Sequence, residues 1–133
     1  MTPKNHEDPG PRPVPPAHVQ ATLATLRAEP YRGRAVVLEL DGRVTGYALL
    51  ISFWSNELGG EVCEIDELFV APEHRSRGHG AALFAAVERG ELWPSPPVAM
   101  ALIIHDDNER ARRLYERLGF DVSGISMVRR QRR

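Results

Sequence analysis

The chain has 133 residues and a mass of 14.9 kDa, the usual length of a single domain. Its hydrophobic (42%) and charged (26%) fractions are those of a globular protein, which argues against global disorder. The single cysteine excludes an internal disulfide framework and a cysteine-rich zinc site, and no apolar run is long enough to span a bilayer. We therefore expect a cytoplasmic domain that makes no membrane contact.

The formal net charge of −1 conceals an asymmetry along the chain. Residues 1–67 carry 6 basic and 10 acidic side chains, whereas residues 68–133 carry 11 basic and 8 acidic ones. Both halves could simply present solvated surface. Alternatively, the protein could have a two-sided site, with an acidic wall for a cation and a basic wall for an anion.

The first elements in the chain are a proline-rich tail and a helix. Six prolines lie within residues 1–16, which predicts a disordered or polyproline tail ahead of a single domain at 17–133. Apolar residues Val19, Leu23 and Leu26 recur at helical spacing. They predict a helix over Ala17–Ala28 that Pro30 ends.

Three strands are predicted to follow. Arg34–Leu40 and Arg43–Trp54 flank the tight turn Asp41-Gly42, which indicates a β-hairpin. Glu61–Val70 is predicted to continue it as an antiparallel meander.

The pattern changes in the second half. We predict a helix over Gly78–Arg89, a strand over Val98–Ile104 that is covered on both faces, a helix over Asp107–Leu118, and one or two short strands from Phe120. This order indicates an α/β fold, in the α+β sense of a mixed sheet, with antiparallel strands followed by helix, strand, helix and strand.

The stretch between the third strand and the next helix has the features of an anion site. Gly78 and Gly80 let a ligand approach the backbone, and the helix start supplies unpaired N–H groups with partial positive charge. Arg75 and Arg77 add two formal charges. The turn therefore suits a phosphate, although a helix that merely begins with glycines would show the same bare GxG pattern.

Two segments together resemble a known family. Val70–Leu83 reads V-x-P-x-x-R-x-x-G-x-G-x-x-L, which resembles motif A of the GNAT superfamily of acetyl-CoA-dependent N-acetyltransferases. Asn108–Phe120 is similar to its motif B, N-x-x-A-x-x-L-Y-x-x-L-G-F. The resemblance covers roughly residues 34–122 and implies a GNAT acyltransferase fold with a shortened N-terminus.

The resemblance implies a set of residues that bind acetyl-CoA. The backbone of Leu68, Phe69 and Val70 would pair with the pantetheine arm, and Asn108 would hydrogen-bond to it. The pyrophosphate would lie against the turn, whose residues are Arg75, Ser76, Arg77, Gly78, His79, Gly80 and Ala81. Tyr115 would lie near the thioester sulfur, on the same helix face as Asn108 two turns away. Alternatively, Tyr115 is a core aromatic residue and Asn108 is a helix cap.

The attacking amine requires a proton acceptor, because an alkyl ammonium with a pKa of about 10.4 costs roughly 4–5 kcal/mol to deprotonate at pH 7. Glu64, Asp66 and Glu67 lie on the strand that leads into motif A. Strand alternation predicts Glu64 and Asp66 on one face and Glu67 on the other. The segment resembles that of diamine-type acetyltransferases, which implies a catalytic role for Asp66 or Glu67. A solvated strand face is the alternative for each of them.

Further substrate contacts are predicted at the end of the hairpin. Trp54, Asn56 and Glu57, with Glu64, combine aromatic and acidic groups that suit a cationic amine, although Trp54 could simply anchor a surface loop. No metal site is expected, because the histidine and two aspartates at 105–107 lack further ligands at suitable spacing. The arginines at the C-terminus are too few to predict a nucleic-acid interface.

These observations predict an enzyme that transfers acetyl from acetyl-CoA to a primary amine by direct attack in a ternary complex. The acceptor would be a small molecule or a peptide amine, and the protein could form a homodimer. The alternatives are an acyltransferase acting on a protein amine and a non-catalytic acyl-CoA-binding or regulatory module.

Overall fold

The computed structural model describes residues 14–93, 95–104, 107–124 and 126–131. The elements are α1 (Pro16–Ala28), β1 (Gly33–Leu40), β2 (Arg43–Ser55), β3 (Gly60–Val70), α2 (His79–Glu88), β4 (Ala99–Ala101) and α3 (Glu109–Arg117). This confirms the predicted mixed α/β class. The predicted tail lies outside the described residues except for its last three; of these, Pro16 begins α1, because proline's fixed φ suits the first helical position.

The four strands form one sheet in the order β1-β2-β3-β4. β1, β2 and β3 are a continuous antiparallel meander, as predicted, and β4 pairs parallel to β3. The chain crosses from β3 to β4 through α2, which is the usual way to return a chain for parallel pairing.

One face of the sheet carries the hydrophobic core, and we call it the core face. Its strand residues pack against side chains from α2 and α3, including Leu83, Phe84, Ala111 and Tyr115. The strand residues at the centre of this face are Ala48, Leu50, Cys63, Ile65, Leu68 and Val70. Both helices therefore lie on the same side of the sheet.

The opposite face is partly covered by α1, and we call it the α1 face. Leu26, the one fully buried residue of α1, lines a groove there together with Ile51 of β2. The predicted helix therefore packs on the sheet over one end of the hairpin.

Two predictions for the C-terminal third were wrong. β4 has three half-buried residues in place of the long strand predicted to be covered on both faces, and Ile103 beyond it is exposed. No strand forms within 120–124 or 126–131. Phe120 instead packs edge-on against Phe84 and Tyr115, with ring centroids 5.2 and 5.8 Å away. Aromatic packing therefore positions the chain at this point.

Candidate active site

β3 and β4 separate partway along the sheet. Their pairing ends at Glu64 and Ala101, whereas β3 continues along β2 as far as the pair Val70–Gly46. Within the described part of the chain, no strand pairs with residues 65–70 on the β4 side. This leaves an open backbone edge that an extended ligand could complete by adding as a strand.

The direction of the backbone groups identifies which residues serve this edge. The amide of Ala71 donates to the Thr45 carbonyl at 2.8 Å, and the Phe69 carbonyl lies against Gly46. Phe69 and Ala71 therefore point their backbone groups towards β2, and the alternation of a strand turns those of Leu68 and Val70 towards the open edge. The structure thus favours Leu68 and Val70 but not Phe69, because the carbonyl of Phe69 is directed at β2.

A run of free amides begins where β3 ends. Among the described residues, none of the backbone N–H groups of residues 76–81 has a hydrogen-bond acceptor, and the first helical bond of α2 is from Ala82 to Gly78. The chain turns sharply within the run because Ser76 (φ +64°) and Gly78 (φ +81°) adopt left-handed conformations. Successive amides in such a turn, next to a helix N-terminus, form a concave site for an anion.

The space around this turn is open enough for a ligand. A Cβ added at Gly78 would meet nothing within 4 Å, and one added at Gly80 would only touch the Leu68 side chain at 4.0 Å. Arg75 donates from Nε to the Val70 carbonyl at 3.0 Å, which ties the turn to the end of β3. The residues present therefore fit a pyrophosphate joined to an extended arm.

Two histidines in this segment each have a buried ring nitrogen, which the sequence did not indicate. His74 Nδ1 and His79 Nε2 are buried, and neither has a hydrogen-bond partner among the described residues. The His79 side chain is half-buried beside the turn.

A β-bulge rearranges the three acidic residues of β3. Leu49 pairs with Glu67 and Leu50 pairs with Ile65, so Asp66 is an extra residue in β3. The bulge reverses the alternation, which places Glu67 on the α1 face together with Glu64. The prediction that Glu64 and Glu67 occupy opposite faces was therefore wrong, because it assumed an unbroken period of two.

The carboxylates differ in their environment. Glu67 is 7% exposed, Glu64 is half-buried, and Asp66 is exposed at the bulge. Burial raises the pKa of Glu64, and the negative charge of Asp66 raises it further. The site thus holds two carboxylates on one face beside the point where the sheet opens.

The motif B helix approaches from the core face. Asn108 caps α3 by accepting a hydrogen bond from the Ala111 amide at 3.1 Å, which confirms the capping interpretation. Tyr115 is 3% exposed and packs against Phe84 at a centroid distance of 6.1 Å. Tyr115 is therefore a core aromatic residue, whether or not its hydroxyl also acts on a ligand.

The gap between β3 and β4 is the place where the two faces of the sheet can meet. Tyr115 belongs to the core face, and Glu67 belongs to the α1 face. An intact sheet would separate them, whereas in the described part of the chain no strand pairs with β3 on the β4 side beyond Glu64. A reacting group held at the open edge could thus be approached from both sides.

The predicted contacts at the hairpin end are remote from this gap. Ser55 pairs with Gly60, so Trp54, Asn56 and Glu57 lie around the β2–β3 turn, about 20 Å along the strand from Glu67. Trp54 is 73% exposed and pairs with Glu61 on the core-face side. The structure does not bring these three residues together with Glu64 or Glu67.

An aromatic pair on the α1 face was missed in the sequence. Tyr47 packs against Phe69 with ring centroids 5.7 Å apart, next to the Leu49–Glu67 pair. The register of the meander is the signal that could have found it, since paired residues share a face.

No metal site is found in the part of the chain that is described, where no three His, Cys, Asp or Glu side chains gather. His105 and Asp106 lie outside the described residues. Across the described ranges, no helix is long and apolar enough to cross a membrane.

Comparison with known proteins agrees with the fold and the two motifs. The model of the acetyltransferase (GNAT) family matches residues 4–120. An uncharacterized N-acetyltransferase of Mycobacterium bovis, Mb2688, is 29% identical over 125 residues, covering 87% of this chain and 76% of that protein. A mycothiol acetyltransferase of Kineococcus radiotolerans is 41% identical over 112 residues, which cover 77% of this chain but only 36% of that protein.

Solved structures give the same result. The aminoglycoside N-acetyltransferase AAC(6')-Iy, in complex with a bisubstrate analogue, superposes with a TM-score of 0.69 at 25% identity, covering 92% of this chain and 83% of that one. An integron cassette protein from a salt-marsh metagenome superposes with a TM-score of 0.65 at 28% identity, covering 86% and 69%. With the family match spanning most of its length, the chain belongs to the GNAT family of acetyltransferases.

Proposed function

We propose that this protein transfers acetyl from acetyl-CoA to a primary amine by direct attack within a ternary complex. The observation that carries the proposal is the continuity of the open edge of β3 with the six free amides of residues 76–81. An extended arm ending in a pyrophosphate is the kind of ligand that needs both features in this order.

The cofactor would be held mainly by backbone groups. Leu68 and Val70 would pair with the pantetheine arm, and the amides of Ser76–Ala81 would bind the pyrophosphate, with Arg77 adding positive charge. Arg75 would serve by fixing the turn against Val70. When bound, acetyl-CoA supplies the activated acyl group as a thioester.

The α1 face would supply the proton acceptor. Glu67 is our choice, because it is the buried carboxylate next to the open edge, and Glu64 on the same face would bind the substrate ammonium. Asp66 is exposed and would act on Glu64 through its charge. Accepting the ammonium proton makes the nitrogen lone pair available for attack.

The core face would serve the leaving group. Tyr115 would donate a hydrogen bond from its hydroxyl to the departing sulfur as negative charge builds there. Its ring is already fixed by Phe84 and Phe120, so the hydroxyl would need little reorganisation.

Relatives support a small amine as the acceptor. The names of similar proteins refer to mycothiol and to aminoglycosides, and one neighbour was solved with a CoA–aminoglycoside bisubstrate analogue. For this chain we propose a small molecule or peptide that carries a primary amine.

The test is thiol release from acetyl-CoA across amino acids, peptides, polyamines and aminoglycosides. With an accepted amine, Glu67→Gln should lower kcat/KM by roughly 10²- to 10⁴-fold. The deficit should shrink as pH rises, because more of the amine is then neutral without assistance. Glu39→Gln, which changes an exposed carboxylate on β1, is the matched control and should behave as the wild type. Binding of acetyl-CoA without turnover of any amine would instead favour the non-catalytic acyl-CoA-binding module.

A further inference from the structure

A groove on the α1 face has not been used by the proposed function. It has a volume of about 300 Å³ and lies between α1, β2 and the 3₁₀ turn that precedes β1. Its lining residues are Ala21, Thr22, Thr25, Leu26, Arg32 and Ile51. The groove is therefore apolar along its walls, with two hydroxyls and one guanidinium.

The sheet register connects this groove to the carboxylates. Ile51 pairs with Gly33 on one side and with Glu64 on the other, so all three residues share the α1 face. Residues paired across neighbouring strands lie about 5 Å apart, which gives roughly 10 Å from Gly33 to Glu64. Arg32 directly precedes Gly33, so the guanidinium and the carboxylates lie at opposite ends of one surface.

Arg32 is held in place but keeps the capacity to bind an anion. Its Nε donates to Glu29 at 2.8 Å, and about half of its side chain is exposed. The contact is an ion pair, so the Glu29 carboxylate offsets part of the guanidinium charge, and the guanidinium also lies 5.8 Å from the centre of the Tyr31 ring. The hydrogen bond to Glu29 uses Nε, so the two terminal amino groups are the part of the guanidinium that could meet a ligand. A planar guanidinium fixed through one nitrogen is well suited to a carboxylate or phosphate.

We infer that this groove binds the body of the acceptor, and that Arg32 selects acceptors carrying an anionic group at the end remote from the amine. The inference rests on the proposed function. The charges on the surface are complementary to such a molecule: Glu64 and Glu67 face its ammonium, and Arg32 faces its anion. A diamine would place its second ammonium next to the Arg32–Glu29 pair, where it would gain nothing from the terminal amino groups of Arg32.

A matched set of three acceptors tests the inference. Hexylamine, 6-aminohexanoate and 1,6-diaminohexane share a six-carbon body and differ only at the far end. We expect kcat/KM to be highest for 6-aminohexanoate and lowest for 1,6-diaminohexane, with steps of roughly 1.5- to 5-fold, the range of partly exposed charge pairs. Arg32→Gln should remove most of the difference, and Arg32→Glu should reverse the order.

The control is Arg27→Gln, which removes the same charge from α1 at an exposed position that does not line the groove. It should preserve the wild-type order. Binding of 6-aminohexanoate to the CoA-loaded protein, followed by NMR, gives a second readout that needs no turnover, and Arg32→Gln should weaken it.

Two outcomes would overturn the inference while leaving the proposed function intact. One is acetylation of all three amines in an order that Arg32→Gln does not change. The other is a change in the association state of the Arg32 variants with no change in KM, which would assign the groove to a contact between chains. Loss of the proposed function has a different signature, namely acetyl-CoA binding with no thiol release from any amine.

Discussion

Tyr115 combines a packing position with a polar group. Its ring fills the space between Phe84 and Phe120, and its side chain is almost wholly buried. A buried phenol ordinarily finds a hydrogen-bond partner, so its hydroxyl has a structural use as well as a proposed chemical one. The two uses can be separated by removing the hydroxyl alone.

We predict that Tyr115→Phe lowers the single-turnover rate by roughly 10- to 1000-fold, towards the lower end because a thiolate is already a good leaving group. The retained ring should keep the packing, so stability should fall by only about 1 kcal/mol. Acetyl-CoA affinity, measured in parallel by calorimetry, should hardly change. An unchanged chemical step would reduce Tyr115 to a core aromatic residue, whereas a collapse in affinity would make it a positioning residue.

The individual site residues were predictable to different degrees. Asn108 and the glycines of the turn could be located because the motifs fix their positions relative to a helix start. The arrangement of Glu64 and Glu67 could not be predicted, since it depends on one extra residue in β3 that no local sequence pattern indicates. Arg32 was not singled out for a similar reason: the surface that relates it to Glu64 comes from strand pairings distant in sequence.

At the scale of elements, the bulge at Asp66 and the early end of β4 act together. The bulge increases the local twist of β3, and the neighbouring strand stops pairing two residues earlier. The open edge then leads without interruption into the turn and α2. The candidate site therefore forms where β3 and β4 stop pairing, and not within a single loop.

We predict that Gly80→Val weakens acetyl-CoA binding by roughly 10- to 100-fold, the loss expected for one hydrogen bond to a charged group. The new side chain would fill the space beside Leu68, where the pantetheine arm of the proposed cofactor would pass. Gly80 has no left-handed φ, so the helix should still form. The affinity is best measured by calorimetry on protein whose helix content has been checked by circular dichroism.

Ala82→Val is the control for this variant, because Ala82 is exposed and its amide already bonds to Gly78 at 2.9 Å. It adds a β-branched residue to the same turn of helix without obstructing a free amide, and it should leave the affinity unchanged. Equal affinity in Gly80→Val and the wild type would contradict the role of the turn.

Elements with a strong internal pattern were predicted to within a residue or two, as α1, α2 and the three meander strands demonstrate. The bounds of β4 and the structure of the C-terminal segment were not predicted, because apolar residues there can either alternate in a strand or pack against other elements. Phe120 joins an aromatic cluster, and Ile103 remains exposed beyond the short strand. Tertiary packing decides such cases, and periodicity does not report it.

At the scale of the whole molecule, the charge asymmetry has a structural counterpart. The acidic half ends at Glu67, and the basic half begins at the open edge and includes Arg75 and Arg77 at the turn. The carboxylates and the turn at residues 75–81 thus adjoin the same segment, where β3 and β4 separate. Arg32 is the exception, a cation among acidic surroundings, and it is the residue on which the inferred selectivity depends.

Concentrating carboxylates at one point should lower the stability of the folded chain. The pKa of Glu64 is raised by burial and by Asp66, so its ionised form is disfavoured in the folded state. Folding stability associated with Glu64 is therefore greatest when it is protonated, and it declines as pH rises from the unfolded pKa through the higher folded one. The penalty is therefore larger at neutral pH than in acid.

We predict that Glu64→Gln is at least as stable as the wild type at pH 7, and that its advantage disappears as the pH falls to about 3, below the unfolded glutamate pKa of about 4.3, where Glu64 is largely protonated in both states. The same variant should raise KM for the amine, because an attractive charge is lost. Thermal unfolding across this pH range, with Glu39→Gln as the exposed-carboxylate control, measures the first effect, and steady-state kinetics measure the second. A variant that is less stable than the wild type at pH 7 would mean that Glu64 makes a favourable structural interaction as an anion, and the charge at this site would then serve the fold as well as the substrate.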